Sequence, residues 1–548
     1  MQSYPLTVDK FLDHAAKWSP RSGIVWAEQG VPQGRADYAA LRERSNRLSG
    51  AFKSLGLVSG DRVATLAWNS QHHLETYYAT MGAGFVCHTL NPRFTVAHLA
   101  AIVNEAGDRV LAVASSLEPL LRELAPLCPT VEHVVFLDGD LSVPPVLAGS
   151  TAKLWSHESL LQARGAPVAW GDFDENAPAG LCYTSGTTGA PKGVLYSHRS
   201  NYLHTLRSLQ ADAMGLTSDD VVLVAVPMFH ANGWGLPYAA PAVGARLVLP
   251  GRHADGASLA KLIRDEGVTL AVGVHTLWLG MVEHVEATGM TLPSLERVLI
   301  GGSSCPAALI RQIEQRLDVQ VQTSWGMTEL SPMGTIAPPG AAWSEGQASG
   351  RIPMGLDLKL TDADGQMLPQ QRDVVGHLKV KGASVIDRYY KADADALDDE
   401  GYFDTGDLAS LDAAGYLTIR GRSKDLIKSG GEWINPAEIE DILGRHPAIS
   451  QVAVVGKTDP RWVERPVLVV ELRDGEPFRP DDLLACLRGE VASWWIPETV
   501  LRVDAMPLGA TGKIDKNRLR ADVAALDVAA ADRAGDVHVN PGQGPSRD

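Results

Sequence analysis

A chain of 548 residues exceeds one ordinary hydrophobic core, so two or more domains are expected. With 49 Lys+Arg against 65 Asp+Glu the formal net charge is −16, which argues against sequence-independent binding of nucleic acid and against anchoring on anionic lipid. The hydrophobic fraction of 45% is that of a soluble globular protein, and no apolar run approaches the roughly 18 residues of a membrane span.

The N-terminus, MQSYPLTVDKFLDHAAKW, scatters acids among its apolar residues, so no signal peptide is expected. The five cysteines (Cys87, Cys128, Cys182, Cys305 and Cys486) include no CxxC pair and fit reduced thiols in a cytoplasm. Val8, Phe11, Leu12 and Ala15 mark a first helix between Pro5 and Trp18, and Leu41, Leu48, Phe52 and Leu55 a second from Tyr38. Arg62–Trp68 reads as a strand, after which Asn69 and Ser70 can cap a helix starting near His72. His72, His73 and Glu75 lie together but lack the HExxH spacing of a zinc helix.

Val96–Ala106 reads as a helix, and Val110–Ala114 and His133–Leu137 as strands, while Leu141–Gly165 is poorly patterned and expected to be a surface excursion. A helix is expected over Asn201–Ala213. Short β-branched runs recur at Val221–Val226, Arg246–Leu249, Thr269–Val274 and Arg297–Ile300, with helices at Ala257–Glu266 and Pro306–Leu317 between them. That is βα winding, with loops gathered at the strand C-termini where such sheets bind ligands. From Gly355 the texture changes to alternating strands, among them Tyr416–Arg420. We therefore expect an α/β protein: a large N-terminal domain of βα-wound sheets with a small β-barrel-like portion (1–421), a smaller mobile α+β domain (422–529) and a disordered tail (530–548).

Several stretches carry chemistry. Tyr183–Val194 reads YTSGTTGAPKGV. Its hydroxyls (Thr184, Ser185, Thr187, Thr188), its glycines (Gly186, Gly189, Gly193) and Lys192 suit a phosphate chain, although the order is not that of GxxxxGK[ST]. PMFHANGWG (Pro227–Gly235) follows a strand; its His230 and Trp234 would each pass for core residues if read alone. LIGGSSCP (Leu299–Pro306) is a strand, a glycine turn at Gly302–Ser303 and a helix opening. No base is evident beside Cys305, which reads as a packed small residue. SWGMTELSP contributes Ser324, Trp325, Gly326, Met327, Thr328 and Glu329. YFDTGD offers Asp407, whose two oxygens suit two neighbouring ribose hydroxyls. GRSKDLIKSGGEWINPAEIED and LGATGKIDK supply Arg422, Lys424, Lys428, Trp433 and Lys513.

In this order, over about 330 residues, these stretches resemble the adenylate-forming superfamily: acyl-CoA synthetases, firefly-type luciferases and peptide-synthetase adenylation domains. The resemblance implies ATP, Mg²⁺ and CoA as cofactor and co-substrates. A carboxylate attacks the α-phosphate to give acyl-AMP and pyrophosphate, and a thiol then displaces AMP. By the same resemblance Thr184–Gly189 and Lys192 hold phosphates, and Thr184 and Glu329 hold Mg²⁺. Trp325 takes the place of the usual adenine-stacking Tyr, without its hydroxyl. Ser324, Gly326, Met327 and Thr328 line the nucleotide, and Gly302, Ser303 and Gly326 border adenine and the acyl pocket. His230 stands beside the carboxylate and Trp234 gates the acyl tunnel. Asp407 and Arg422 reach ribose or phosphate, Lys424 is the hinge, and Lys428, Gly430, Gly431 and Trp433 form the loop used for thioester formation. Lys513 is the catalytic lysine of adenylation, with Leu508 in place of a usual basic residue. The spelling favours an apolar monocarboxylate, a medium- or long-chain fatty acid, with methylthiopropanoate, aryl acids or transfer to a carrier protein as alternatives. A cytoplasmic homodimer is expected.

Overall fold

The computed structural model describes residues 1–139, 147–184, 191–302, 305, 307–341, 349–429, 432–509, 513–529 and 538–539. The chain divides into two compact units. The first comprises Met1–Cys305, Ile310–Leu358 and Val380–Phe403, the second Pro306–Leu309, Lys359–Lys379 and Asp404–Asp548.

Two sheets build the first unit. One runs Met333–Ile336, Gln320–Gly326, Arg297–Ile300, Leu270–Gly273, Val221–Val224, Arg246–Leu249, Gly23–Glu28 and Val31–Asp37. Its inner strands are parallel and its two edge strands antiparallel. The other runs Lys153–Ser156, His133–Phe136, Val110–Val113, Arg62–Leu66, Val86–Thr89, Pro178–Tyr183 and Gly193–Ser197, parallel except at the last pairing. The main core lies between the sheets: Tyr77, Tyr78, Cys87 and Ala179 meet Val222, Leu247, Leu270 and Leu299. In the first sheet the order reverses at Val221–Val224, which pairs with Arg246–Leu249 on one side and Leu270–Gly273 on the other. A crevice opens at the C-terminal end of such a strand. That end leads directly into PMFHANGWG.

Local signals set the helix ends. Asp37 accepts from Ala40 N–H at the start of Tyr38–Ser54, Ser70 from His73 N–H at the start of Gln71–Gly82, and Thr95 from His98 N–H at the start of Val96–Ala106, which ends on left-handed Gly107. Asn69 is not the cap; its side chain points elsewhere. The helix expected over Asn201–Ala213 is His198–Ser208, started by Ser197. Residues 141–165 are not wholly a surface excursion. Lys153–Ser156 extends the second sheet in parallel with His133–Phe136, and His157–Arg164 is a helix capped by Ser156. Burying Leu160 and Leu161 is enough for so short a helix, and two leucines leave no readable period.

The second unit holds most of a four-stranded sheet, ordered Leu356–Thr361, Val375–Gly382, Phe403–Leu411 and Leu417–Arg422, where the β-barrel-like portion was expected. A second sheet runs Glu432–Ile434, Ile427–Ser429, Val463–Leu472, Thr499–Val503 and His538–Val539, with Ile449–Asp459 also paired to Val463–Leu472. Pro436–Leu443 packs Ile439 and Leu443 on one core cluster, and Lys516–Ala529 packs Leu519 and Val523 on another. Lys516 ion-pairs with Glu440 at 2.7 Å. Apart from His538–Val539, the expected tail lies outside the described residues. Among the described residues no helix is long and apolar enough to cross a membrane.

Candidate active site

The first unit carries four of the motifs. The Pro178–Tyr183 strand pairs antiparallel with Gly193–Ser197. Just beyond that pairing Thr184 N–H donates to the Lys192 carbonyl at 2.9 Å. Ser185, Gly186, Thr187, Thr188 and Gly189 lie outside the described residues. Lys192 places its ammonium 4.8 Å from the Tyr389 ring centroid, and the Tyr389 hydroxyl donates to Glu329 Oε1 at 2.8 Å. Burial, and then the Glu329 carboxylate beside it, push the Tyr389 hydroxyl pKa up, so it stays a donor. Glu329 is 7% exposed, and Tyr389 is its side-chain hydrogen-bond partner among the described residues. A carboxylate engaged through one oxygen retains a second, of the hard type that Mg²⁺ selects. The Tyr196 hydroxyl, on the strand leaving the loop, donates to the Thr328 carbonyl at 2.9 Å.

Ser324–Gly326 ends the strand next to the antiparallel edge. Ser324 Oγ donates to the Ile300 carbonyl at 3.2 Å, and Trp325 is 8% exposed, its ring lying over Gly334. A Cβ on Gly326 would stand 2.3 Å from the Pro332 carbonyl oxygen, so only glycine lets these strands approach. Met327 N–H donates to that carbonyl at 3.0 Å.

His230 precedes a run of left-handed backbone that includes Trp234. Ala231, Asn232, Gly233, Trp234 and Gly235 all have positive φ, from 44° to 78°. Each non-glycine residue in that region costs about 1–2 kcal/mol, and such runs persist only when their surroundings hold them. The turn carries Trp234 across the glycine pair of LIGGSSCP. Its Cη2 is 3.0 Å from where a Gly301 Cβ would stand, and its Cζ2 is 3.4 Å from that of Gly302. Ser303 lies outside the described residues. Burial pushes the Cys305 thiol up to about 12, as befits a packed residue rather than a nucleophile.

The second unit brings together Asp407, Arg422 and Lys513. Asp407 and Arg422 are cross-strand partners, and Arg422 Nε meets Asp407 Oδ1 at 2.8 Å. Asp407 is 2% exposed, and its N–H is held by Thr405 Oγ1 at 3.1 Å. Gly509 N–H donates to the Lys513 carbonyl at 2.7 Å, and residues 510–512 lie outside the described ones. Desolvation by surrounding protein and then the Arg422 guanidinium push the Lys513 ammonium down to about 8, while Asp407 pulls it up. The side chain keeps solvent access, which screens this shift, so the amine stays largely protonated at neutral pH. Lys424 is displaced downward as well, by desolvation first. Lys428 and Trp433 face each other across a hairpin, with Lys428 Nζ 5.5 Å from the Trp433 ring and Trp433 52% exposed. Gly430 and Gly431 lie outside the described residues.

Elsewhere, His72, Glu75 and His157 bring potential ligand atoms within 4.8 Å of one another. Arg44 Nε and Gln71 Nε2 each donate to Glu75 Oε1 at 2.6 Å, so the carboxylate that a metal would need is already engaged. His73 turns away, to the Trp68 carbonyl at 3.0 Å and Thr65 Oγ1 at 2.9 Å. Sequence reasoning missed Tyr389, whose signal is faint: adjacent tyrosines in DRYYKAD, 60 residues from the carboxylate one of them holds.

Residues 12–390 match the family model described as AMP-binding enzyme, and residues 438–513 match that of the AMP-binding enzyme C-terminal domain. A 3-methylmercaptopropionyl-CoA ligase of Ruegeria lacuscaerulensis is 42% identical, over 95% of this chain and 98% of its own. A medium-chain-fatty-acid–CoA ligase of Ectopseudomonas oleovorans is 39% identical, over 95% of this chain and 96% of its own. Among solved structures, an anthranilate CoA ligase in complex with anthranoyl-AMP superimposes with a TM-score of 0.85 at 21% identity, covering 96% of this chain and 99% of that one.

Proposed function

The chain belongs to the AMP-binding enzyme family, the adenylate-forming ligases that use ATP, Mg²⁺ and CoA, and on that premise we propose how its own residues divide the work. The observation that carries the reading is the Lys192–Tyr389–Glu329 chain, which puts a cation from the phosphate loop and a carboxylate suited to Mg²⁺ on one tyrosine.

The acid's carboxylate oxygen attacks the α-phosphorus of ATP. The bond to the bridging oxygen breaks, pyrophosphate leaves and acyl-AMP remains. CoA sulfur then attacks the acyl carbon, AMP leaves with the electron pair, and the thiol proton passes to solvent. Positioning and charge neutralisation dominate such chemistry. Thr184 to Gly189 and Lys192 hold the β- and γ-phosphates; Glu329 and Thr184 would hold Mg²⁺, which neutralises phosphate charge when bound. Ser324, Trp325, Gly326, Met327 and Thr328 take the adenine side, with Asp407 and Arg422 on the ribose. His230 stands at the carboxylate, Trp234 gates the acyl tunnel, and Gly302 and Ser303 belong to the adenine and acyl side of the site. Lys513 stabilises charge at the α-phosphate during adenylation. Rotation at Lys424 of a mobile domain, 422–529, against the 1–421 body brings in Lys428, Gly430, Gly431 and Trp433 for thioester formation.

For substrate we favour an apolar monocarboxylate, a medium- or long-chain fatty acid. An indole laid over a glycine pair supports an uncharged tail, and a 39%-identical relative is a medium-chain-fatty-acid–CoA ligase. The second reading, a short thioether acid, is supported by the 42%-identical 3-methylmercaptopropionyl-CoA ligase. Pyrophosphate release across fatty, thioether and aryl acids separates them. Fatty acids of medium or long chain should rank first by kcat/KM, and a maximum at the thioether acid would replace the first reading with the second. Five cysteines with no CxxC pair support a reducing, cytoplasmic setting. The homodimer rests on the resemblance alone, and sedimentation velocity tests it.

A further inference from the structure

The segment that carries His230 and Trp234 is gripped from the other sheet of the same unit. The central grip is one side chain, Asn69, at the C-terminal end of the Arg62–Leu66 strand. Asn69 is 3% exposed. Its Nδ2 donates to the Val224 and Val226 carbonyls, both at 2.8 Å, and its Oδ1 accepts from Met228 N–H at 2.7 Å. Two carbonyls and one N–H fix which end of the amide is nitrogen and leave no alternative orientation. All three partners lie where the Val221–Val224 strand turns into PMFHANGWG. The residue's own backbone is fixed as well, since its carbonyl accepts from Gly251 N–H at 3.1 Å.

Other side chains from the same side hold the rest of the segment. The Tyr77 hydroxyl donates to the Met228 carbonyl, Tyr78 to the Pro237 carbonyl at 2.8 Å, and the Cys182 thiol to Asn232 Oδ1 at 3.5 Å. Among these, Asn69 alone satisfies three backbone groups at the point where the strand ends. Its neighbour Ser70 already caps the next helix, so the carboxamide is not needed there.

We propose that Asn69 is a positioning residue for the acid-binding half of the site: by pinning Val224, Val226 and Met228 it sets where His230 and Trp234 stand. This rests on the roles proposed for those two residues. A buried group of this kind cannot be replaced by water without a change of backbone path, and a displacement near 1 Å at a binding segment is enough to impair it. The isosteric Asn69→Asp places an oxygen where two carbonyl oxygens converge and removes both donated bonds while keeping side-chain volume.

The test measures steady-state pyrophosphate release by the full chain for Asn69→Asp, Ser70→Ala, Trp234→Ala and the Asn69→Asp/Trp234→Ala double variant, over a series of acids, with Tm for each. Asn69→Ser is the second variant should Asn69→Asp not fold. The expected result for Asn69→Asp is an acid KM raised about tenfold, the order of effect that losing buried hydrogen bonds has, with the KM for ATP within about twofold of the parent. The chain-length profile flattens, and in the Trp234→Ala background the same substitution leaves the profile where it was. Ser70→Ala lowers Tm and moves neither KM. A purely structural role would make Asn69→Asp behave like Ser70→Ala, and that outcome, or equal rises in both KM values, overturns the proposal. If instead Trp234→Ala leaves the profile unchanged while Asn69→Asp still raises the acid KM, the gate reading of Trp234 fails and the positioning role of Asn69 stands.

Discussion

Lys513 offers a prediction with a sign and a size. Its ammonium is pushed down to about 8 from the ordinary 10.5, by desolvation first and by Arg422 second, with Asp407 opposing. The charged form is the one that can stabilise negative charge at the α-phosphate, so adenylation should be full below that value and fall as pH rises through it. Well above the pKa, each further pH unit costs about tenfold. Solvent access screens the shift, so the inflection in kcat/KM should fall between about 8 and 10.5. Two neighbours move it in opposite directions: Arg422→Gln removes a like charge and should shift it up, while Asp407→Asn removes an opposite charge and should shift it down. Lys513→Ala should cost about 10²–10³ in adenylation, the size of one lost transition-state contact, and abolish the limb. The assay is pyrophosphate release with saturating MgATP between pH 7 and about 10.5, set beside transfer of preformed acyl-AMP to CoA. Transfer should survive in Lys513→Ala. A limb that persists in Lys513→Ala, or equal loss of both half-reactions, would refute the reasoning.

Trp234→Ala should broaden or shift the acyl-chain preference, read as kcat/KM across acids of increasing length, because the indole stands 3.0 Å from the Gly301 Cβ position; an unchanged profile returns it to the core. Tyr389→Phe should raise the Mg²⁺ concentration for half-maximal rate by about threefold to tenfold, since it removes the donor that orients Glu329. Titrating Mg²⁺ at fixed ATP checks this, and an unchanged midpoint would separate Glu329 from the metal.

Much of the fold was legible in the sequence, for physical reasons. Arg246–Leu249 and Arg297–Ile300 are legible because buried parallel strands leave short apolar runs, and here each opens on an arginine and stops at Pro250-Gly251 or Gly301-Gly302. Val96–Ala106 was legible because Thr95 and Gly107 punctuate it. Lys153–Arg164 was not, because its strand KLWS is only half-buried and its helix buries two leucines. The candidate site residues were chosen by residue type and order, whereas the contacts that orient Glu329 and the PMFHANGWG segment are long-range. Tyr389 reaches Glu329 from 60 residues away, and Asn69 reaches Met228 across 159. Glycines at 233 and 235 bracket Trp234 in the sequence, but nothing local announces left-handed Ala231 and Trp234 beside them.

The most direct test of the central claim is product analysis with the full chain, MgATP, a medium-chain fatty acid and CoA, and no carrier protein. AMP, pyrophosphate and acyl-CoA should appear in equal amounts, with acyl-AMP accumulating when CoA is withheld. Pyrophosphate release that leaves CoA unacylated, or no release with any acid of the panel, would contradict it.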